Sequence, residues 1–381
     1  MGADKDYIIR IRRELHQIPE IGYDLPKTLA LVRRELDALD IPYTEEYGKS
    51  SIIATLNEGA GNKTIALRAD MDALPIQEET GYDFASIHPG QMHACGHDCH
   101  TAMLLGTAKA LKEMEKDINC CVKLVFQPAE EGKGGAKLIC DDGFMDDVDM
   151  IIGAHVYPDK PTGTLSLNKV CQYASNHSFK IWLNGKSAHV SQPHNGIDAI
   201  AMAVRVFNDI QFMRARELDP SEPVVIGIGE IHGGTTNNII CSQAMLHGTI
   251  RTINDRTDAY IYRRIEEIAA SVAGDMGGTA RVETTELYPV LHNDQNLAAE
   301  LVRSAEKIIG ADKILEQPIA MVGEDFAFYA MEKPGVLFNF GVMPEDGNFA
   351  PLHNSKMTVN EAILDIAPNI FIQFILDQMN K

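Results

Sequence analysis

Residues 121–132 read CVKLVFQPAEEG, a short apolar run followed at once by a proline and a pair of acidic residues. The run Cys121–Phe126 has the composition of a buried strand, and residues 150–156, MIIGAHV, show the same pattern. A long helical run, Thr101–Glu115, precedes both and carries small and apolar residues on one face. Strands that alternate with helices in this way predict an α/β layer around a largely parallel sheet.

The same layer is predicted to include both ends of the chain. Helical spacing occurs in two pieces within Asp6–Leu39, and the stretch Pro19–Pro26 predicts a break between them. The remaining elements are predicted as strands at Ser51–Leu56, Thr64–Arg68 and Gly335–Gly341, and as helices at Asn296–Ile309 and Asn360–Met379.

The pattern changes in residues 178–288. Strands are predicted around 179–183, 224–231, 244–251 and 281–287, and helices around 199–213 and 261–272. The resulting order, β-α-β-β-α-β, is the ferredoxin-like arrangement. We therefore expect 178–288 to be an inserted domain that divides a first domain into residues 1–177 and 289–381.

Composition excludes some classes of partner. The 381 residues carry a formal net charge of −20, which disfavours binding to nucleic acid and to anionic membranes. No apolar run has the length of a membrane span, and the first seven residues do not resemble a signal peptide. The seven cysteines, scattered and odd in number, favour a reducing cytoplasm over a disulfide framework.

The densest group of potential metal ligands lies in residues 92–101, MHACGHDCHT. Thiolate and imidazole groups are good ligands for zinc and similar ions, and carboxylates can join them. The alternative is a capped loop in which Asp98 or Thr101 caps the helix that follows. Because so many ligand types occur within ten residues, we predict metal binding.

Three other positions add potential ligands. Glu130 and Glu131 directly follow a predicted buried strand, where α/β folds place their ligands, although a solvated acidic turn would look the same. One of the two could bind metal while the other takes a proton from metal-bound water. His155 ends an apolar strand and could be a core histidine, and His353 lies alone in a loop. Only their convergence with the first group gives them weight.

Taken in order, the motifs resemble the hippurate hydrolase branch of the M20 metallopeptidase and amidohydrolase family. That branch includes hippurate hydrolases, N-acyl-amino-acid deacetylases and indole-acetyl-amino-acid hydrolases. The resemblance spans nearly the whole chain through RRELHQIPEIGY from Arg12, ALRADMDALP from Ala66, MHACGHDCHT from Met92, FQPAEEG from Phe126, GAHV from Gly153, GKSAHVSQPHNGIDA from Gly185, GGTTNNII from Gly233, GTIRT from Gly248, GEDFAFY from Gly323 and PLHNS from Pro351.

The resemblance implies a zinc-exopeptidase-like catalytic domain that binds two divalent metal ions, zinc or manganese, with cobalt or nickel also possible. It implies Cys95 as the bridging ligand and Glu130 as the general base. It implies further ligands at His97, Glu131, His155 and His353. Asp72 matches a carboxylate that steadies a ligand. Asp70 stands where other members carry a metal-binding histidine, and we leave it out of the ligand set.

The inserted domain resembles the family's lid and dimerisation domain, which implies a homodimer. His189 matches a lid histidine that, in dimeric relatives, polarises the scissile carbonyl in the partner's active site. Asn238 and Arg251 match substrate-binding positions, and a guanidinium can bind both oxygens of a carboxylate. The alternatives are a solvated loop histidine at 189 and a surface strand residue at 251, and His194 could be either kind.

We therefore expect a metal-dependent amidohydrolase that cleaves N-acyl-L-amino acids, such as N-acetyl or N-benzoyl compounds. Water activated by the metals would attack the amide, with Glu130 as its base. A dipeptidase or carboxypeptidase acting on short peptides is the alternative within enzymes. A non-catalytic zinc-binding protein is a further alternative, and so is catalysis by Cys95 or Cys99 as nucleophile.

Overall fold

The structure, a computed structural model, describes residues 2–132, 134–168 and 171–379. The chain forms two compact units. The first contains the chain up to Gln172, His292–Pro318 and the chain from Asp325 onward. The second contains Tyr173–Leu291 and Ile319–Glu324.

The helices within the described residues are α1 (Lys5–His16), α2 (Pro26–Ala38), α3 (His97–Glu113), α4 (Gly135–Asp141), α5 (Ala199–Arg216), α6 (Asp255–Asp275), α7 (Gln295–Ile309), α8 (Ala327–Glu332) and α9 (Ile366–Gln378). The strands are β1 (Tyr43–Thr44), β2 (Ile52–Leu56), β3 (Thr64–Asp70), β4 (Cys121–Gln127), β5 (Met150–Tyr157), β6 (Leu165–Leu167), β7 (Cys171–Tyr173), β8 (Asn176–Asn184), β9 (Val225–Gly233), β10 (Gln243–Arg251), β11 (Thr279–Tyr288), β12 (Leu291–His292), β13 (Ile314–Glu316) and β14 (Gly335–Gly341).

The first unit is built on a mixed sheet in the order β1-β2-β4-β3-β5-β14-β6-β13. Its central strands β4, β3, β5 and β14 are parallel, as the alternating pattern predicts. Antiparallel pairs β1–β2, β2–β4 and β14–β6 flank this centre, so the sheet is less uniformly parallel than expected. All of β4 is buried, because helices cover both faces of a sheet of this kind.

Helix α3 begins four residues earlier than its apolar spacing predicts. Gly96 precedes it with φ 84°, in the left-handed region, and a side chain there would meet Val156 Cγ2 at 2.3 Å. The helix therefore turns directly out of the ligand-rich motif, and residues 97–100 form its first turn. Hydrophobic periodicity could not reveal this turn, because its buried residues are polar.

Other differences follow from short or polar segments. The helices α4 and α8 and the two- and three-residue strands were not predicted, since they are too short to show a period. The last helix begins at Ile366 and not at Asn360, which instead accepts a hydrogen bond from Ala362 N at a separate short turn. Among the described residues, no helix is both long and apolar enough to cross a bilayer.

The second unit has the element order predicted for residues 178–288. Strands β11, β8, β10 and β9 form an antiparallel sheet in that order, and β9 is an edge strand. Side chains of α5 and α6 pack with alternate residues of β8 and β10 in one core. The opposite face of the sheet and the outer strand β9 are largely exposed.

Two helical glycines test how closely α1 packs on the helix that starts at the ligand motif. A Cβ at Gly106 in α3 would meet Ile8 Cγ1 at 2.4 Å, whereas a Cβ at Gly274 in α6 meets nothing within 4 Å. We expect Gly106→Ala to lower the free energy of unfolding by about 1–3 kcal/mol through overpacking. Gly274→Ala should leave it unchanged or raise it by up to about 1 kcal/mol. Denaturant unfolding of both variants checks this, and equal effects would contradict the packing described.

Candidate metal centre

The predicted ligands come from separate segments of the first unit. Cys95 and His97 flank the start of α3, and Glu130 and Glu131 occupy the turn after β4. His155 lies near the end of β5, and the loop before α9 carries His353. Because β4 and β5 are parallel to β3, their carboxyl ends meet at one edge of the sheet, where α/β folds form their sites.

Among the described residues, two of the groups of three potential ligand atoms share Cys95, and within each group all atoms lie within 4.8 Å of one another. One group is Cys95, His97 and His155, and the other is Cys95, Glu131 and His353. Cys95 Sγ lies 3.5 Å from His155 Nε2, and Glu131 Oε1 lies 3.2 Å from His353 Nε2. The thiol of Cys95 is common to both groups.

The residues fit divalent cations. His97 Nε2 is buried and makes no hydrogen bond within the described residues. A buried polar atom without a partner is costly, and coordination would remove that cost. One thiol, several imidazoles and a carboxylate form a ligand set suited to zinc, which also admits other divalent transition metals.

The electrostatics of the metal-free cluster favour added positive charge. Burial, together with Glu131 and Glu130, raises the pKa of the Cys95 thiol well above its ordinary value. Burial alone would lower the pKa of His97, but the carboxylates of Asp70 and Asp72 outweigh it and raise that pKa to about 10. The cluster therefore holds protons that a bound cation would displace.

Asp72 holds two parts of the site together. Its Oδ1 accepts a hydrogen bond from Glu130 N at 3.0 Å, and its Oδ2 accepts one from Glu131 N at 3.1 Å. Its Oδ1 also lies 3.4 Å from His97 Nδ1. The turn that it holds is unusual, since Ala129 has φ 58° although it carries a side chain.

The loop with His353 is fixed from its backbone. His353 has φ 63°, and its N–H donates to the carbonyl oxygen of Ala94 at 2.8 Å. This bond joins the loop to the segment immediately before Cys95. It thereby brings a side chain from near the end of the chain to the start of α3.

The capping alternative for Asp98 and Thr101 is wrong. Asp98 is fully buried, and its Oδ2 lies 2.8 Å from Arg12 Nε and 2.7 Å from His16 Nδ1. Burial opposes its charge, but the Arg12 and His16 charges outweigh it and hold the pKa of Asp98 well below its usual range. Thr101 donates its hydroxyl to the carbonyl oxygen of Asp70 at 2.9 Å. Both residues therefore join α3 to other elements.

Three side chains that support the site were missed from sequence: Arg12, Arg68 and His100. Arg68 Nη1 donates to Asp70 Oδ2 at 2.7 Å, and His100 Nδ1 lies 2.5 Å from Asp70 Oδ1. Asp70 is thus bonded on both oxygens. A charged residue within an apolar strand, such as Arg68 in TIALRAD, is the signal that could have identified such a support.

The predicted lid residues belong to the second unit. His189 and Asn238 lie on neighbouring segments, because Val190 N donates to Asn238 O at 3.1 Å. His189 is exposed, and its Nδ1 accepts from Ser191 N at 3.2 Å. Arg251 ends β10 half-buried, and burial lowers the pKa of its guanidinium. His194 is exposed in the short turn Pro193–Asn195.

Comparisons with known proteins identify the family of the chain. A match to peptidase family M20/M25/M40 spans residues 66–377. N-acetyldiaminopimelate deacetylase of Streptococcus uberis is 39% identical over 370 residues, or 95% of this chain and 96% of that protein. Thermostable carboxypeptidase 1 of Saccharolobus solfataricus is 36% identical over 367 residues, which is 95% of this chain and 93% of that protein. The crystal structure of Bacillus subtilis YXEP is described as that of a dinuclear metal-binding peptidase of the M20 family. It matches with a TM-score of 0.87 and 29% sequence identity, and the match covers 99% of this chain and 98% of that chain.

The chain therefore belongs to peptidase family M20/M25/M40 and is a metal-binding hydrolase that acts on amide bonds. A non-catalytic zinc protein does not fit this membership. Catalysis by a cysteine nucleophile is also disfavoured, because burial raises the pKa of both Cys95 and Cys99 well above ordinary values. Reactive cysteines need the opposite shift.

We expect Asp72→Asn to weaken metal binding by about 10–100-fold, since an amide accepts one of the two backbone hydrogen bonds and faces the other N–H with its own. Zinc content and competition with a chelator measure the change. The control is Asp142→Asn, which alters an acceptor of Gly48 N away from the site. Wild-type zinc affinity in Asp72→Asn would contradict the supporting role.

Proposed function

We propose that the chain is an N-acyl-L-amino-acid amidohydrolase that uses two divalent cations. The observation that carries the proposal is the pair of ligand groups that share Cys95, with Glu130 beside them. One cation would be held by Cys95, His97 and His155, and the other by Cys95, Glu131 and His353. Zinc or manganese suits this set, and cobalt or nickel is an alternative.

The chemistry that divalent cations supply when bound is the acidification of water and the polarisation of a carbonyl. Glu130 takes the proton of the attacking water and returns it to the leaving amine. Its place supports this role, because its carboxylate lies within 4.8 Å of ligand atoms of His97 and Glu131. The Asp72 bond to its backbone N–H keeps it there.

We assign substrate recognition to the second unit. Arg251 is half-buried and has no recorded ion-pair partner among the described residues, so its guanidinium is available for the substrate carboxylate. The Ser191 N–H bond to His189 Nδ1 places the ring proton on Nε2, where it can donate to the oxygen of a scissile carbonyl. Asn238, on the adjacent segment, supplies a further polar contact.

The names of the similar proteins indicate two candidate classes of substrate. One relative is named a deacetylase of an N-acetylated amino acid, and another is named a carboxypeptidase. Both names denote cleavage of an amide in a molecule with a free carboxylate, which fits the assignment of Arg251. Short peptides, cut by a carboxypeptidase or dipeptidase activity, are therefore the second candidate.

A substrate panel tests the proposal. It contains N-acetyl, N-benzoyl and indole-acetyl amino acids, their methyl esters, and plain dipeptides, each assayed with chelator and after zinc or manganese is restored. We expect metal-dependent cleavage of the acylated acids, with esters much poorer because Arg251 has no carboxylate to bind. A preference for dipeptides would instead establish the peptidase alternative.

Glu130→Gln should retain both cations and the fold but lose about 10²–10⁴-fold in kcat, because the amide cannot accept the proton. The neighbouring Glu131→Gln is the matched comparison and should lose a cation. Metal content, thermal unfolding and kcat of the two variants separate the roles. An active Glu130→Gln enzyme would falsify the assignment of the base.

We propose further that the second unit is a ferredoxin-like lid through which two chains form a homodimer. Two features at one side of this unit support the proposal. The outer strand β9 has an unpaired edge, and the adjacent α5 exposes a stripe of apolar side chains, Ile200, Val204 and Phe212. The resemblance implies that His189 then serves a second subunit. We place the enzyme in a reducing cytoplasm, in keeping with its unpaired cysteines.

Phe212→Asp should convert the dimer to a monomer, since it puts a charge at one end of the apolar stripe, on its most exposed side chain. Phe212 is 65% exposed, and Met331 in the first unit is a matched control at 69%. Sedimentation velocity of Phe212→Asp, Met331→Asp and the wild type measures the assembly. If the wild type is monomeric, or Phe212→Asp remains dimeric, this interface is wrong.

A further inference from the structure

His100 lies within the ligand-rich motif, and its ring, with Asp70 and His97, forms another group of atoms within 4.8 Å of one another. It could therefore be taken for a third histidine ligand at the start of α3. Both of its ring nitrogens, however, already make hydrogen bonds. Val156 N donates to Nε2 at 2.8 Å, and Nδ1 lies 2.5 Å from Asp70 Oδ1.

These two bonds determine which nitrogen carries the proton. A backbone N–H can only donate, so His100 Nε2 must present its lone pair to Val156. The ring proton is then on Nδ1 and is donated to Asp70. In this arrangement His100 has no lone pair left for a cation.

The Asp70 carboxylate that accepts the His100 proton belongs to a series of buried ion pairs. Asp70 Oδ2 accepts from Arg68 Nη1 at 2.7 Å, and Arg68 Nη2 donates to Asp325 Oδ1 at 2.9 Å. All of these side chains are nearly inaccessible to solvent. The alternation of negative, positive and negative groups keeps Asp70 in place as the acceptor for His100.

The bond between His100 Nε2 and Val156 N connects His100 to His155, a proposed metal ligand. The Val156 carbonyl oxygen lies 2.8 Å from His155 Nδ1 and can only accept, so the His155 proton is on Nδ1. His155 Nε2 then has the free lone pair, and it is the atom that lies 3.5 Å from Cys95 Sγ. The pairing of β3 with β5 ends at Arg68 and Gly153, and β14 pairs with β5 as far as Tyr157. The bond from Val156 N to His100 therefore adds a contact to β5 beyond the end of its pairing with β3.

We propose that His100 is a positioning residue and not a metal ligand. It fixes the Val156 backbone, and through that backbone it directs His155 Nε2 to the metal centre. The inference rests on the proposed function insofar as His155 is taken as a ligand. By the same inference Asp70 is a positioning residue, because it accepts the proton of His100. It occupies the position where other members of the family carry a metal ligand.

Two variants separate the two bonds of His100. In His100→Asn the amide nitrogen replaces Nδ1 and can donate to Asp70, while Val156 N–H loses its acceptor. In His100→Gln the longer side chain brings its oxygen to the position of Nε2, where it can accept from Val156. Thr107→Val is the control, because it removes a buried hydrogen bond of the same helix that ends on Met103 O.

The first measurement is zinc affinity of the purified protein, by competition with a chelator, together with thermal unfolding of the metal-free form. We expect His100→Asn to bind one of the two zinc ions about 10–100-fold more weakly. His100→Gln and Thr107→Val should stay close to wild type. Outright loss of one ion in both His100 variants would make His100 a ligand and overturn the proposal. Unchanged affinity in both, or a loss confined to His100→Gln, would also overturn it.

The second measurement needs no substitution at the site. In metal-free wild-type protein with ¹⁵N-labelled histidine, the ring signals of His100 should show a proton on Nδ1. A proton on Nε2 would overturn the proposal whatever the ligands are. His155→Ala separates this result from the proposed function, because retention of both zinc ions in that variant would refute the ligand set and leave the tautomer of His100 untouched.

Discussion

The structure must accommodate three carboxylates and a thiol close together in the protein interior. Asp70, Asp72, Glu130 and the thiol of Cys95 are all nearly inaccessible at one edge of a sheet. Charges in such a place are unfavourable unless they are paired or bind a cation. The surrounding structure meets this constraint in two ways: some groups are neutralised by protein cations and imidazoles, and others are the proposed metal ligands.

This division explains which acidic residues are committed to the framework. Asp98 is bonded by Arg12 and His16, and Asp70 by Arg68 and His100. Glu131 lies beside imidazoles instead, with its Oε1 3.2 Å from His353 Nε2 and 3.9 Å from His97 Nε2. Carboxylates of the first unit thus have different partners: Asp98 and Asp70 pair with buried arginines, whereas Glu131 lies among the proposed metal ligands.

Much of the fold and of the ligand cluster could be predicted from the sequence, for separate reasons. Strands such as β4 and helices such as α7 were found because burial imposes a period, and β14 was placed at its true bounds. The candidate ligands stood out because thiols and imidazoles rarely cluster by chance, and the ligand set itself stays a prediction. The supporting side chains, such as Arg68, could be predicted neither from periodicity nor from clustering. Arg68 meets Asp325, 257 positions away, and no local sequence pattern indicates a contact over that separation. The start of α3 was missed because three of the four residues in its first turn, His97, Asp98 and His100, are polar.

The position of β14 has a consequence for how the enzyme is made. This strand lies between β5 and β6 in the sheet, yet it is encoded after the entire second unit, and His353 comes later still. A ribosome adds residues far more slowly than local structure forms. The nascent chain therefore exposes the flank of β5 throughout synthesis of the insertion. The central sheet and the proposed ligand set can assemble only when translation is almost complete, because β14 and His353 are made last.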